Sequence, residues 1–157
     1  MRGLKLLVAS LILAPFVLAS AQPIDSCAPV TRLVDSLMIA WIDCYNHDEV
    51  VVLLNGSNAD IDLTGYRLET RRGLKFFFQN SSWNPYCCLI KSHDILRLHS
   101  AHGNLQPFSG SRDLHWLTAD GEPSGQEVWS EKGGVAVLFN AEGEVASHYE
   151  YGNGQDP

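Results

Sequence analysis

The segment that most restricts what this chain can fold into is residues 49–68, EVVVLLNGSNADIDLTGYRL. It opens with five consecutive apolar residues, Val50 to Leu54, and Asn55-Gly56 ends the run. A run this short, rich in β-branched residues and closed by Asn-Gly, reads as a buried strand rather than a helix. Asn55, Gly56, Asn58 and Asp60 then crowd turn formers into one connection. Beyond it Ile61 and Leu63 alternate with Asp62 and Thr64, and Gly65 breaks the pattern before Tyr66-Arg67-Leu68.

The same grammar continues on both sides. Residues 37–45, LMIAWIDCY, read as a strand with Leu37, Ile39, Trp41 and Asp43 on one face and Met38, Ala40, Ile42 and Cys44 on the other. Asn46-His47-Asp48 is a turn cluster, so residues 37–55 are expected to form a hairpin with a polar tip. Residues 74–78 are expected to place Leu74, Phe76 and Phe78 on one face, and residues 95–99 to bury Leu96 and Leu98. Residues 100–123 are irregular, with an apolar island at 114–117, and Val128-Trp129 is expected to re-enter the core. A final hairpin joins residues 135–139 to 145–151 around Asn140-Ala141-Glu142-Gly143, with one wet side. Many short strands with almost no helical period predict an all-β sandwich.

The start of the chain follows different rules. Arg2 and Lys5 precede an apolar run from Leu6 to Leu18, and Ala19-Ser20-Ala21 follows. The run is shorter than the about 20 residues a bilayer-spanning helix needs. Residues 1–21 therefore read as a cleaved secretory signal peptide, 22–35 as an extended lead-in, 36–152 as one β-sandwich and 153–157 as a tail. Export predicts a secreted protein, extracellular or periplasmic, with no membrane span after cleavage. Without Arg2 and Lys5 the chain keeps 9 basic residues against 18 acidic ones, a formal charge of −9. Such a surface repels polyphosphate at long range, which argues against nucleic acid as a partner.

Four cysteines, Cys27, Cys44, Cys87 and Cys88, enter an oxidising compartment on this reading, and an even count suggests disulfides. A bond between the neighbours Cys87 and Cys88 would strain the peptide between them. The expectation is that Cys27 and Cys44 each reach one of that pair.

The core stretch resembles the signature of the lamin tail domain family. That pattern is a strand ending in Leu-x-Asn, a short polar turn, then Asp-Leu-(Ser/Thr)-Gly-(Trp/Tyr)-x-Leu. Its positions are taken here by Leu53, Asn55, Asp62, Leu63, Thr64, Gly65, Tyr66 and Leu68. The resemblance extends over roughly residues 35–152 and implies an immunoglobulin-like β-sandwich. It also implies an interaction surface, as in the nuclear lamins, or an accessory module of the kind that accompanies bacterial secreted enzymes. Neither a coiled-coil rod nor an attached catalytic domain is expected from these residues.

The residues themselves offer little chemistry. Six histidines are present, but no His-x-His, His-Glu-x-x-His or Asp-rich calcium loop, so no metal site and no cofactor is expected. No Gly-x-Ser-x-Gly elbow and no glycine-rich phosphate cradle appears. The polar candidates for a binding surface are Arg67, Arg71, Arg72 and Lys75 on one hairpin beside Phe77, and the loop aromatics Trp83 and Tyr86. The reading is a non-catalytic module that binds a protein or cell-envelope component, with dimerisation through an unpaired strand edge left open. The alternatives are a nucleic-acid-binding accessory module and a small secreted hydrolase using His93, Asp94 and His99.

Overall fold

The described residues of the chain, in a computed structural model, are 37–45, 48–100 and 112–152. The segments expected to be a signal peptide and a lead-in, Cys27, His47, His102 and the tail lie outside them. Among the described residues none is helical, and ten strands run in order. They are β1 Leu37–Asp43, β2 Val50–Asn55, β3 Ile61–Asp62, β4 Arg67–Thr70, β5 Lys75–Phe77, β6 Leu89–Ile90, β7 Ile95–His99, β8 Asp113–His115, β9 Gly133–Phe139 and β10 Val145–Gly152.

Two four-stranded sheets, β1-β2-β7-β8 and β10-β9-β4-β5, pack face to face as a sandwich. A two-stranded ribbon, β3-β6, is separate from both. Alternation decides which side chains meet in the middle. Val51 and Leu53 of β2 and Leu96 and Leu98 of β7 come from the first sheet; Leu68, Phe76, Ala136, Leu138, Tyr149 and Tyr151 come from the second, and all are buried. Val128 and Trp129 enter this core as expected, both 2 % exposed, and Trp129 stacks edge-on against Trp116 at 5.9 Å.

The face assignment of β1 needs correcting. Its register against β2 shifts between Ile39 and Trp41. A strict alternation would bury Leu37, Ile39 and Trp41 together, but the bulge flips the strand. Ile42 and Cys44 turn inward and Trp41 is left 45 % exposed. β10 bulges too, between Val145 and Ser147, which leaves Val145 on the surface. Leu74 is also outside, since β5 begins only at Lys75. The apolar island becomes β8, which pairs with β7 in parallel, Leu98 opposite Leu114.

The cysteine expectation is corrected as well. Cys87 is joined to its neighbour Cys88 across a cis peptide, rather than each being held by Cys27 and Cys44. A trans peptide would hold the two side chains apart; the cis peptide brings them to the same side. Cys44 is itself disulfide-bonded and buried.

Candidate binding surface

The β4–β5 hairpin carries the basic residues singled out above, and pairing register decides what each one does. β4 and β5 are antiparallel, with Arg67 opposite Phe77 and Glu69 opposite Lys75. Glu69 therefore sits between two cations: it is ion-paired with Arg67, and Lys75 Nζ lies 3.3 Å from its carboxylate. The Arg67 guanidinium also covers the Phe139 ring, 4.6 Å from its centroid. Those two cations thus share one carboxylate within the sheet. Arg71 and Arg72, on the turn, remain exposed, although Arg72 donates one bond to Val128 O at 3.0 Å. Phe77 is 52 % exposed on the outer face of the same hairpin.

The loop bearing Trp83 and Tyr86 has a different task. Its centre is Asn84, 1 % exposed. The Asn84 carboxamide accepts from His115 N–H at 2.7 Å and donates to His115 O at 2.9 Å. A side-chain amide here imitates a neighbouring strand and closes the outer edge of β8. Ser81 and Cys87 hold the backbone of Asn84 in turn, and Trp83 lies edge-on to His115 at 5.6 Å. Trp83 is half-buried support; Tyr86 is exposed. Asn84→Ala is expected to cost about 2–4 kcal/mol, because the buried N–H and C=O of His115 both lose their partner. A urea unfolding midpoint measures it.

The three residues of the hydrolase alternative each engage different partners. His93 Nε2 lies 2.9 Å from Asn58 Oδ1, and Asp94 is ion-paired with Arg112 at 2.6 Å. His99 stands between two carboxylates, with Nδ1 2.7 Å from Asp48 and Nε2 3.3 Å from Asp113. Arg97 holds Asp113 through two bonds, of 2.6 and 3.2 Å. The Arg97 bond, assisted by His99, keeps the Asp113 carboxyl below the usual carboxylate range. The arrangement is an ion-pair network at the β7–β8 end of the sheet. Among the described residues no group of three or more His, Cys, Asp or Glu is placed to hold a metal.

The bend after β2 has the geometry its residues suggest. Asn55 is fully buried. Its Nδ2 lies 2.7 Å from Ala59 O, 3.2 Å from Ile90 O and 3.1 Å from Lys91 O, while its Oδ1 accepts from Ser57 N–H and Oγ–H. Asp62 accepts from the Thr64 N–H at 2.9 Å and its hydroxyl at 2.7 Å, bonds that hold the Asp62 carboxyl below its ordinary value. Gly65 has φ +85°, and a Cβ there would lie 3.3 Å from the Cβ of Ala141. The model of the lamin tail domain family matches residues 34–153. The chain belongs to the lamin tail domain family. No curated protein matches the chain.

The lamin tail domain is generally a non-catalytic module. In this one its signature residues are structural: Asn55 ties β2 to the turn after β6, and Asp62, Thr64 and Gly65 shape the entry to β4. One residue of this lamin tail domain escaped the sequence reading altogether. Glu49, 4 % exposed, accepts from Ser100 Oγ at 2.7 Å and from the backbone N–H of Val128 and Trp129 at 2.7 and 3.1 Å. The only signal available was an acid directly before an apolar strand, which does not distinguish a buried carboxylate from a solvated one.

Proposed function

We infer that this chain is an exported lamin tail domain that works without catalysis, binding a protein or cell-envelope component through the β4–β5 hairpin. The observation that carries this reading is the exposure of Arg71, Arg72 and Phe77 together on one hairpin. They sit on a chain whose acidic residues outnumber its basic ones, 18 to 11. Exposed arginines on the turn and an exposed aromatic on the strand that leaves it are residue types enriched at interface anchors. The same charge balance disfavours nucleic acid, for which two exposed arginines would give only a shallow salt dependence. Export rests on the charged start, the apolar run and Ala19-Ser20-Ala21.

The test uses the chain without residues 1–21 as bait for the extracellular and envelope fractions of its source, with an Arg71→Ala/Arg72→Ala variant beside it. The expected result is a saturable partner, identified by mass spectrometry, whose purified form binds the variant at least tenfold more weakly. Capture that is unchanged in the variant moves the surface off this hairpin. Capture of nucleic acid, lost at moderate salt, favours the accessory-module alternative.

A further inference from the structure

The sandwich has four outer strand edges, and the described residues cover three of them. β1 and β10 meet each other: Ile39 N–H donates to Ser147 Oγ at 3.0 Å, where both strands bulge. The edge of β8 is closed by the Asn84 carboxamide. The fourth edge is β5. Thr70 N–H donates to Leu74 O, and Phe78 N–H donates to Tyr66 O, so Leu74, Phe76 and Phe78 turn their backbone groups toward β4. By the alternation of an antiparallel ladder, the N–H and C=O groups of Lys75 and Phe77 point away from the sheet. Among the described residues nothing bonds them.

A groove of about 260 Å³ runs beside this row, with Lys75, Phe77 and Gln79 on one wall and Leu117, Thr118 and Ala119 on the other. It is smaller than the roughly 300–1,000 Å³ of a small-molecule pocket, and an unpaired backbone row is one of its walls. Glu69 is shared between Arg67 and Lys75, so the groove is flanked by positive charge on exposed Lys75 and, toward the turn, on exposed Arg71 and Arg72.

We propose that β5 receives an extended peptide from a partner protein as an added strand of the β10-β9-β4-β5 sheet. An apolar side chain of the peptide enters the groove between Phe77 and Leu117, and acidic residues lie against Arg71 and Arg72. Main-chain bonds supply the affinity in strand addition, and pockets for alternate side chains supply the specificity. A free edge is a liability that folds blunt with very short strands, lysine, proline, bulges or inward charges. β5 has the first two, its three-residue length and exposed Lys75, but no proline, bulge or inward charge, and it keeps a half-exposed phenylalanine, while the other three edges are covered. A second copy of the chain fits the edge poorly, because it would bring its own residues 117–119 into the same groove.

This proposal rests on the binding reading above, and its test separates the two. Random twelve-residue peptides displayed on phage are selected against the chain. The selected sequences are expected to alternate apolar and polar residues, with Asp or Glu at one end. Bound peptide is expected to slow amide hydrogen exchange at Lys75 and Phe77. Phe77→Pro removes one outward N–H and spares the bonds to β4, and should weaken binding more than tenfold; Phe77→Ala should weaken it less. If Phe77→Pro does not fold, exchange protection in the unmutated chain decides alone. Protection elsewhere, enrichment of no peptide, or equal binding to Phe77→Pro overturns strand addition. A dimer that forms without peptide and is lost in Phe77→Pro assigns the edge to a second copy and overturns it too. If the Arg71→Ala/Arg72→Ala variant loses the captured partner while Phe77→Pro keeps it, the hairpin reading stands and strand addition falls. If both variants keep it, both readings fall.

Discussion

Replacing Glu49 by alanine is expected to remove about 3–5 kcal/mol of folding stability, the cost of stranding several buried polar groups at once. One carboxylate oxygen of Glu49 accepts from Ser100 Oγ and from the N–H groups of Val128 and Trp129. Those three donors come from two parts of the chain, residue 100 at the end of β7 and the segment that leads into β9. Glu49 therefore fastens the Val128-Trp129 segment to the first sheet, and Trp129 is 2 % exposed beneath Trp116. Alanine leaves the Val128 and Trp129 N–H groups without an acceptor, leaves Ser100 Oγ only the longer bond to Glu49 O at 3.4 Å, and loosens the indole that closes this end of the core. Glu49→Gln keeps an acceptor and removes the charge, so its loss at neutral pH should be much smaller. Burial raises the Glu49 pKa above its ordinary value, and the bonds from Ser100, Val128 and Trp129 oppose that shift without cancelling it. The sign follows: the folded chain holds this proton more tightly than the unfolded chain. The stabilising contribution is complete below the ordinary value of 4.5 and is lost as pH rises through the raised one. Unfolding midpoints at a series of pH values should show unmutated protein gaining on Glu49→Gln as pH falls. A difference that stays flat with pH would mean the carboxylate is not desolvated.

The parts of the fold that could be read in advance are those whose pattern is local. Ile95–His99 announces its buried face by simple alternation, and Leu96 and Leu98 are inside. The bend at Asp62, Thr64 and Gly65 announces itself through residue types that bond across two positions or take a positive φ. What stayed hidden depends on partners distant in sequence. The bulge at Ile39/Trp41 is one inserted residue, invisible to a period-two count, yet it decides that Ile42 and not Trp41 is buried. Asn84 lies in a segment rich in turn formers, and nothing nearby says that its amide closes an edge strand made of residues 113–115. The candidate surface shows the same division. The basic residues were visible in sequence, but only the register of β4 against β5 reveals that Arg67 and Lys75 share one carboxylate, Glu69, while Arg71 and Arg72 lie on the turn.

Asn55 offers the other large effect, and it tests whether the family signature is a folding device. Its amide group faces three backbone carbonyls, of Ala59, Ile90 and Lys91, and its oxygen faces two donors on Ser57. Only a side chain with a donor and an acceptor at this length suits both halves, which explains asparagine rather than aspartate at a fully buried site. Asn55→Ala should cost about 2–4 kcal/mol, since it leaves those carbonyls and the Ser57 groups short of partners. Asn55→Asp has the same shape and should be worse at neutral pH, by a further 1–2 kcal/mol or so, because it sets a buried negative charge against three carbonyl oxygens. Such an environment raises the new carboxyl's pKa, so the variant should recover as pH falls toward the ordinary aspartate range of about 3.9, where the group is neutral and donates one bond. Asn55→Ala has no proton to gain and should show no such recovery relative to unmutated protein. Parallel stability curves for the two variants across acidic pH would remove the charge argument and leave Asn55 as a packing residue; curves that converge from opposite ends of the pH range place its role in the hydrogen bonds that join β2 to the turn after β6.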